Sequence, residues 1–340
     1  MHKRRPWGIC SAGLLAGLVL SGWIGAVNAH HVIVETDYVL KNKDKPGVIL
    51  VDARAASDYK KGLIPGAVVF SDKSGAVALR DVNARILPVK KLEKILGDAG
   101  ITRDNEIIVY GTKGDTSPDV VFWILEYLGA GKAKVYHGGM DDWTTAKHPL
   151  TNEARKLPAA QFTAKVRPEL LATTDFVKKN LKNKEIQFLD SRTVKEYEGE
   201  DIRAGRGGYI PAASHVNIPY EYAWKDPEAA KKLAEKKVQD REGMALKDAA
   251  GIKELYKGVD PNKEVVAYCQ TGTRSTQTYA VLREMGYQKV RNYDDSWIVW
   301  GSQIDLPAGN ASYYDFVKAN ASLRRIDALE KKVEELATKK

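Results

Sequence analysis

Cys269 opens the run Cys-Gln-Thr-Gly-Thr-Arg, where a thiol is followed by small polar residues and closed by Arg274. The apolar segment Val265-Val-Ala-Tyr268 before it predicts a strand, and Ser275-Thr-Gln-Thr-Tyr-Ala after it predicts a helix start. A strand-to-helix turn of this length wraps successive backbone N–H groups around the sulfur, beside the positive end of a helix. Such a nest favours an anion, lowers the thiol pKa and supplies a thiolate near neutral pH. The loop residues Gln270, Thr271, Gly272 and Thr273 then form the cradle, with Gly272 letting the chain turn where a side chain would crowd it. The fork of Arg274 suits an oxyanion such as a sulfonate, or else locks the loop to a carboxylate. Ser275 offers a hydroxyl to the same centre, or simply caps the helix.

These residues sit inside an internal repeat. Val48-Ile-Leu-Val51 leads into Asp52-Ala-Arg54, and Ile186-Gln-Phe-Leu189 leads into Asp190-Ser-Arg192. Each is followed by an acidic–tyrosine pair, Asp58-Tyr59 or Glu196-Tyr197, and then by an Ile-Pro turn at Ile64-Pro65 or Ile210-Pro211. Glu106-Ile-Ile-Val-Tyr110 corresponds to Glu264-Val-Val-Ala-Tyr268, Gly114 to Gly272, and Ser117 to Ser275. Matching order over so many features indicates a duplicated unit. Alternating strands and helices predict an α/β fold, each copy with a central, mainly parallel sheet flanked by helices. The first copy is expected over 32–150, a connector over 151–168, and the second copy over 169–308. A segment rich in Lys, Ala and Glu, 227–257, reads as helices inserted before the final strands.

The ends differ from the repeats. Met-His-Lys-Arg-Arg, an apolar stretch from Ile9 to Val27 and Ala-Val-Asn-Ala at 26–29 read as a signal peptide cut after Ala29. That places the chain in the periplasm or otherwise outside the cytoplasm; an uncleaved membrane anchor is the alternative. At the other end, 313–340 lacks Gly and Pro, and Ile326, Leu329, Val333 and Leu336 follow a 3-4-3 spacing. This predicts an amphipathic helix that either docks on its own domain or pairs with another copy.

Composition narrows the remaining options. The 340 residues carry a formal charge of +9 spread among many carboxylates, with no nucleic-acid-binding signature, so a solvated surface is the reading. Of two cysteines, Cys10 lies in the segment read as removed. One remaining thiol excludes an internal disulfide and a four-cysteine metal site. His30-His31 would open the cleaved chain, where an amino group beside two imidazoles can bind copper or nickel, though an ordinary polar start is the reading; His137, His148 and His215 show no metal-binding spacing, and no metal or organic cofactor is expected.

The paired Asp-x-Arg, tyrosine and Ile-Pro segments, the Tyr-Cys-Gln-Thr-Gly-Thr-Arg loop and Asp294-Asp295-Ser296-Trp297 to Trp300 together resemble a tandem-domain rhodanese, a thiosulfate or 3-mercaptopyruvate type sulfurtransferase. The resemblance covers roughly 45–302. It implies that Cys269 carries sulfane sulfur as a persulfide, that residues 270–274 close its cradle, and that Asp190 and Arg192 brace the domain around the loop. It implies small-molecule partners: a sulfur donor, and cyanide or a thiol, including a protein thiol, as acceptor. Four residues separate Cys269 from Arg274, where the related phosphatases have five. Three departures from the family pattern stand out. Gly111 occupies the cysteine position of the first copy, which is therefore expected to be non-catalytic. Glu196 and Thr271 stand where thiosulfate enzymes carry basic residues, leaving Lys195, Arg203 and Arg206 as candidate anion contacts. Asp295 replaces a glycine before Ser-Trp. A redox sensor or partner-binding module is the alternative function.

Overall fold

The computed structural model describes residues 31–70 and 75–338; the segment read as a signal peptide lies outside them. Among the described residues no helix is long and apolar enough to cross a membrane. Among the described residues there are twelve strands: β1 (Ile33–Val34), β2 (Val48–Asp52), β3 (Ala67–Val68), β4 (Glu106–Tyr110), β5 (Ala133–Tyr136), β6 (Leu171–Ala172), β7 (Ile186–Asp190), β8 (Gly207–Tyr209), β9 (His215–Asn217), β10 (Glu264–Tyr268), β11 (Val290–Tyr293) and β12 (Gly309–Ser312). Two five-stranded sheets have the orders β1-β5-β4-β2-β3 and β6-β11-β10-β7-β9, with every pair parallel. The inner strands are continuous apolar runs because both faces are covered by helices. The register sets Asp190 opposite Tyr268 and Asp52 opposite Tyr110, so each Asp-x-Arg turn lies beside the carboxyl end of the central strand. In α/β sheets ligands gather at that edge.

The helices after the central strands, Ser117–Tyr127 and Arg274–Glu284, pack on each other and join the halves into one apolar core. Their ends are tied reciprocally. Buried Glu126 accepts the Tyr279 hydroxyl at 2.6 Å and the Arg283 guanidinium at 3.2 Å. Glu284 accepts the backbone N–H groups of Val32 and Ile33 at 2.7 and 2.9 Å, and pairs with His31 at 2.6 Å. The connector runs along the first half, with Phe162 buried and bonds from Ala160 N to Gly97 O and from Lys165 N to Leu128 O.

The second half does not stop at 308: β12 pairs antiparallel with β8, and Ser312 Oγ donates to Gly199 O at 2.5 Å. Polar Gly-Asn-Ala-Ser hid this strand, which main-chain bonds hold in place. Helix Phe316–Ala337 then leaves the body, and Leu323, Ile326, Leu329, Val333 and Leu336 are each 49–65% exposed. The helix therefore does not dock on its own domain.

Candidate active site

Cys269 follows the last residue of β10 and is fully buried. Its own N–H donates to Ser296 Oγ at 3.1 Å, and its carbonyl accepts from Trp297 N at 3.0 Å. Ser296 is held in the left-handed region, φ 51°, so that its hydroxyl also donates to Tyr293 O at 2.6 Å. Around the sulfur stand the backbone N–H groups of Thr271 and Ser275 and the Ser275 hydroxyl, 3.6 Å from Sγ. Burial pushes the thiol pKa up. The Arg274 charge and these donors outweigh it, and the net shift is downward.

Gly272 adopts φ +70°, and a Cβ there would fall 2.7 Å from the Asp294 carbonyl. Its own carbonyl accepts from Asn292 Nδ2 at 3.1 Å. Ser275 is not the helix cap. The cap position is Thr273, and the Ser275 hydroxyl lies 2.6 Å from Asn292 Oδ1 instead.

Arg274 meets a carboxylate in fork geometry, its two terminal nitrogens each donating to Glu196 at 2.7 Å. Glu196 is buried and closes a capping box with Thr193. Burial raises the Glu196 pKa, but the bonds and charge of Arg274 hold it below the usual carboxylate range. Tyr220 and Glu221 stand near the same centre. Burial raises the pKa of both; Cys269 adds to the shift for Tyr220, while Arg274 opposes it for each.

Asp190 and Arg192 form a bidentate pair buried behind the loop, with bonds of 2.6–3.1 Å. Arg192 also donates to Gly208 O at 2.7 Å and lies 4.6 Å from the Trp297 ring centroid. Asp52, Arg54 and Gly62 O repeat this arrangement in the first half.

The three candidate anion contacts separate. Arg203 lies 3.4 Å from Glu196 at the rim, and its carbonyl accepts from Gln270 Nε2. Lys195 is exposed. Arg206 must be corrected: it is buried and donates to the carbonyls of Gln303 and Leu306 at 3.1 and 2.5 Å, so it serves the backbone rather than an anion.

Sequence reasoning missed Arg80. From the first half it donates to Thr273 Oγ1 at 2.7 Å, Thr271 O at 2.9 Å and Asp294 Oδ1 at 2.5 Å. Asp294 Oδ2 accepts Ile86 N at 2.8 Å. Nothing near Arg80 in sequence announces a partner about 190 positions away.

In the first half, Gly111 takes the cysteine place, and a Cβ there would meet Pro118 Cγ at 2.8 Å. The loop is covered by the insert. Arg241 donates to Lys113 O at 3.1 Å, and Met244 lies against Gly114. Lys113 is 1% exposed, paired with Asp142 at 2.5 Å and with Glu242, so it belongs to the interface rather than to solvent. His137 is partly buried against Met244 O, its pKa pushed down to about 4 mainly by desolvation. Among the described residues no cluster of His, Cys, Asp or Glu is arranged to hold a metal.

One cysteine thus sits at the carboxyl end of a parallel strand, cradled by amides at a helix start, in one half of a duplicated α/β chain. Residues 35–146 and 173–303 both match the rhodanese-like domain, and the chain belongs to that family. It is similar to a thiosulfate sulfurtransferase of Azotobacter vinelandii, 29% identical over 277 residues, covering 81% of this chain and 96% of that protein. A thiosulfate sulfurtransferase of Pseudomonas aeruginosa is 28% identical, with the same coverage of each. The fold is similar to that of a 3-mercaptopyruvate sulfotransferase of Escherichia coli, with TM-score 0.63 and 23% identity over 78% of this chain and 99% of that one.

Proposed function

We propose that this sulfurtransferase moves sulfane sulfur from thiosulfate or a related donor, through a persulfide on Cys269, to cyanide or a thiol. The observation that carries the reading is the cradle. One thiol sits among the amides of Thr271 and Ser275 beside the Arg274 charge, and its pKa is lowered despite full burial. The thiolate attacks the outer sulfur of the donor; the sulfur–sulfur bond breaks and sulfite leaves with the electron pair. The Cys269 persulfide is then attacked at its terminal sulfur by the acceptor, giving thiocyanate or an acceptor persulfide and restoring the thiolate. Fixed amide dipoles stabilise negative charge on sulfur in both steps. No general base is needed when the nucleophile is already ionised.

Intact-mass measurement after incubation with thiosulfate tests this. One added sulfur atom is expected on the wild type and none on Cys269→Ser; sulfur on both would overturn the assignment. The start Met-His-Lys-Arg-Arg, the apolar stretch and Ala26 to Ala29 support export. Exported protein is then expected to begin at His30, and a retained Met1 would sink that part.

A further inference from the structure

We propose that helix Phe316–Ala337 is a dimerisation element that pairs with the same helix of a second copy as a parallel, two-stranded coiled coil. The helix has 22 residues and spans ~33 Å at about 1.5 Å per residue. Its apolar side chains face solvent rather than the body, with Ile326 49%, Leu329 54%, Val333 65% and Leu336 58% exposed. A helix with such a stripe is completed by burying it.

The residues on the stripe select the occupant. With Ile326 and Val333 at heptad position a, Leu329 and Leu336 fall at d. Branched Ile and Val at a with Leu at d favour two parallel strands over three or four. One heptad earlier the same register gives Ala319 and Ser322, small side chains that hold the seam weakly. That weak end lies next to the catalytic bodies, where two bulky domains need room to diverge.

Flanking charge selects the orientation. Position g is basic at Arg325 and Lys332, and position e carries Glu330 between Leu323 and Ala337. In a parallel pair, g of one helix meets e of the next heptad on the other, so Arg325 faces Glu330 of the second copy, twice by symmetry. In an antiparallel pair g meets g, and Arg325 and Lys332 would face like charges. An acidic protein partner or an anionic lipid surface would exploit the basic edge, but neither accounts for the Ile/Val and Leu alternation along the seam.

The test uses the chain starting at His30, so that the apolar stretch Ile9–Val27 cannot itself drive association. Sedimentation equilibrium at micromolar concentration is expected to give twice the single-chain mass. Ile326→Asp with Leu329→Asp is expected to give the single-chain mass with sulfur transfer unchanged. In a Cys269→Ser background, Val333→Cys is expected to form an interchain disulfide on mild oxidation, because a parallel seam sets each a residue against its own copy. Glu330→Lys weakens the dimer roughly tenfold, and adding Arg325→Glu restores it. A single-chain mass for the wild type overturns the proposal, and so does a trimer. Association only with anionic vesicles reassigns the helix to a lipid surface. A dimer in which Val333→Cys fails to cross-link, or which Arg325→Glu alone tightens, overturns the parallel arrangement.

Discussion

Arg80 and Asp294 lie in different halves of the chain, yet their 2.5 Å ion pair ties the Cys269 loop of the second half to the first. The same guanidinium holds Thr271 O and Thr273 Oγ1. Arg80→Met is expected to reduce sulfur transfer about tenfold or more. It also leaves Asp294 buried without a counter-charge, at a cost of ~3–5 kcal/mol. Adding Asp294→Asn removes that orphaned charge. The double variant is expected to regain thermal stability but not kcat/KM, since the loop stays unheld. Recovery of both would reduce Arg80 to a structural role.

Ionisation of Cys269 sets the pH response. Its folded pKa lies below the ordinary thiol value, because the Arg274 charge and the amides outweigh burial. Stability from that ionisation is fully present above the ordinary thiol pKa and is lost as pH falls through the depressed one. Sulfur loading is expected to follow the same titration, with its acid limb below the usual thiol range. Arg274→Gln should move the limb upward. Thiolate absorbance, read as the difference between wild type and Cys269→Ser, gives the titration directly, and an ordinary thiol pKa there would refute the prediction.

Glu196 occupies the guanidinium that an anionic donor would need. Glu196→Gln keeps the capping-box geometry, since glutamine also serves at that position, and releases Arg274 from its paired charge. The KM for thiosulfate is expected to fall several-fold, while stability drops by ~1–3 kcal/mol from the weakened charged bonds. Steady-state kinetics over thiosulfate concentration, alongside thermal melts, check both. A KM that rises would mean the pair is needed to aim Arg274.

Gly111→Cys is expected not to create a second carrier. The new Cβ would lie 2.8 Å from Pro118, beneath a loop covered by Met244 and Arg241. In a Cys269→Ser background, this variant should gain no sulfur from thiosulfate by intact mass.

The repeat, the two sheets and the position of Cys269 were legible because they rest on local patterns. Apolar five-residue strands announce buried parallel sheet, and a thiol before Gly272 and a helix start announces a cradle. The Arg274 alternatives could not be resolved from sequence, since its fork fits a sulfonate and a carboxylate equally; Glu196 decided it by lying 2.7 Å away. Arg206 lies in the glycine-rich stretch 203–208 with the look of an anion ligand, and only the fold shows Gln303 and Leu306 carbonyls already taking its donors. Strand β12 has no apolar alternation to betray it. Arg80 was invisible for a different reason: its role exists only once two distant segments are brought together.

The reciprocal ties of Glu126 and Glu284 make each half the other's ligand. A second half cut free near residue 169 would carry Tyr279 and Arg283 into water without their carboxylate, uncover the helix face that meets Phe122, and lose the hand that steadies its loop. The first half is thus a permanent, covalently attached support for the second, and divergence in either surface has to be answered in the other.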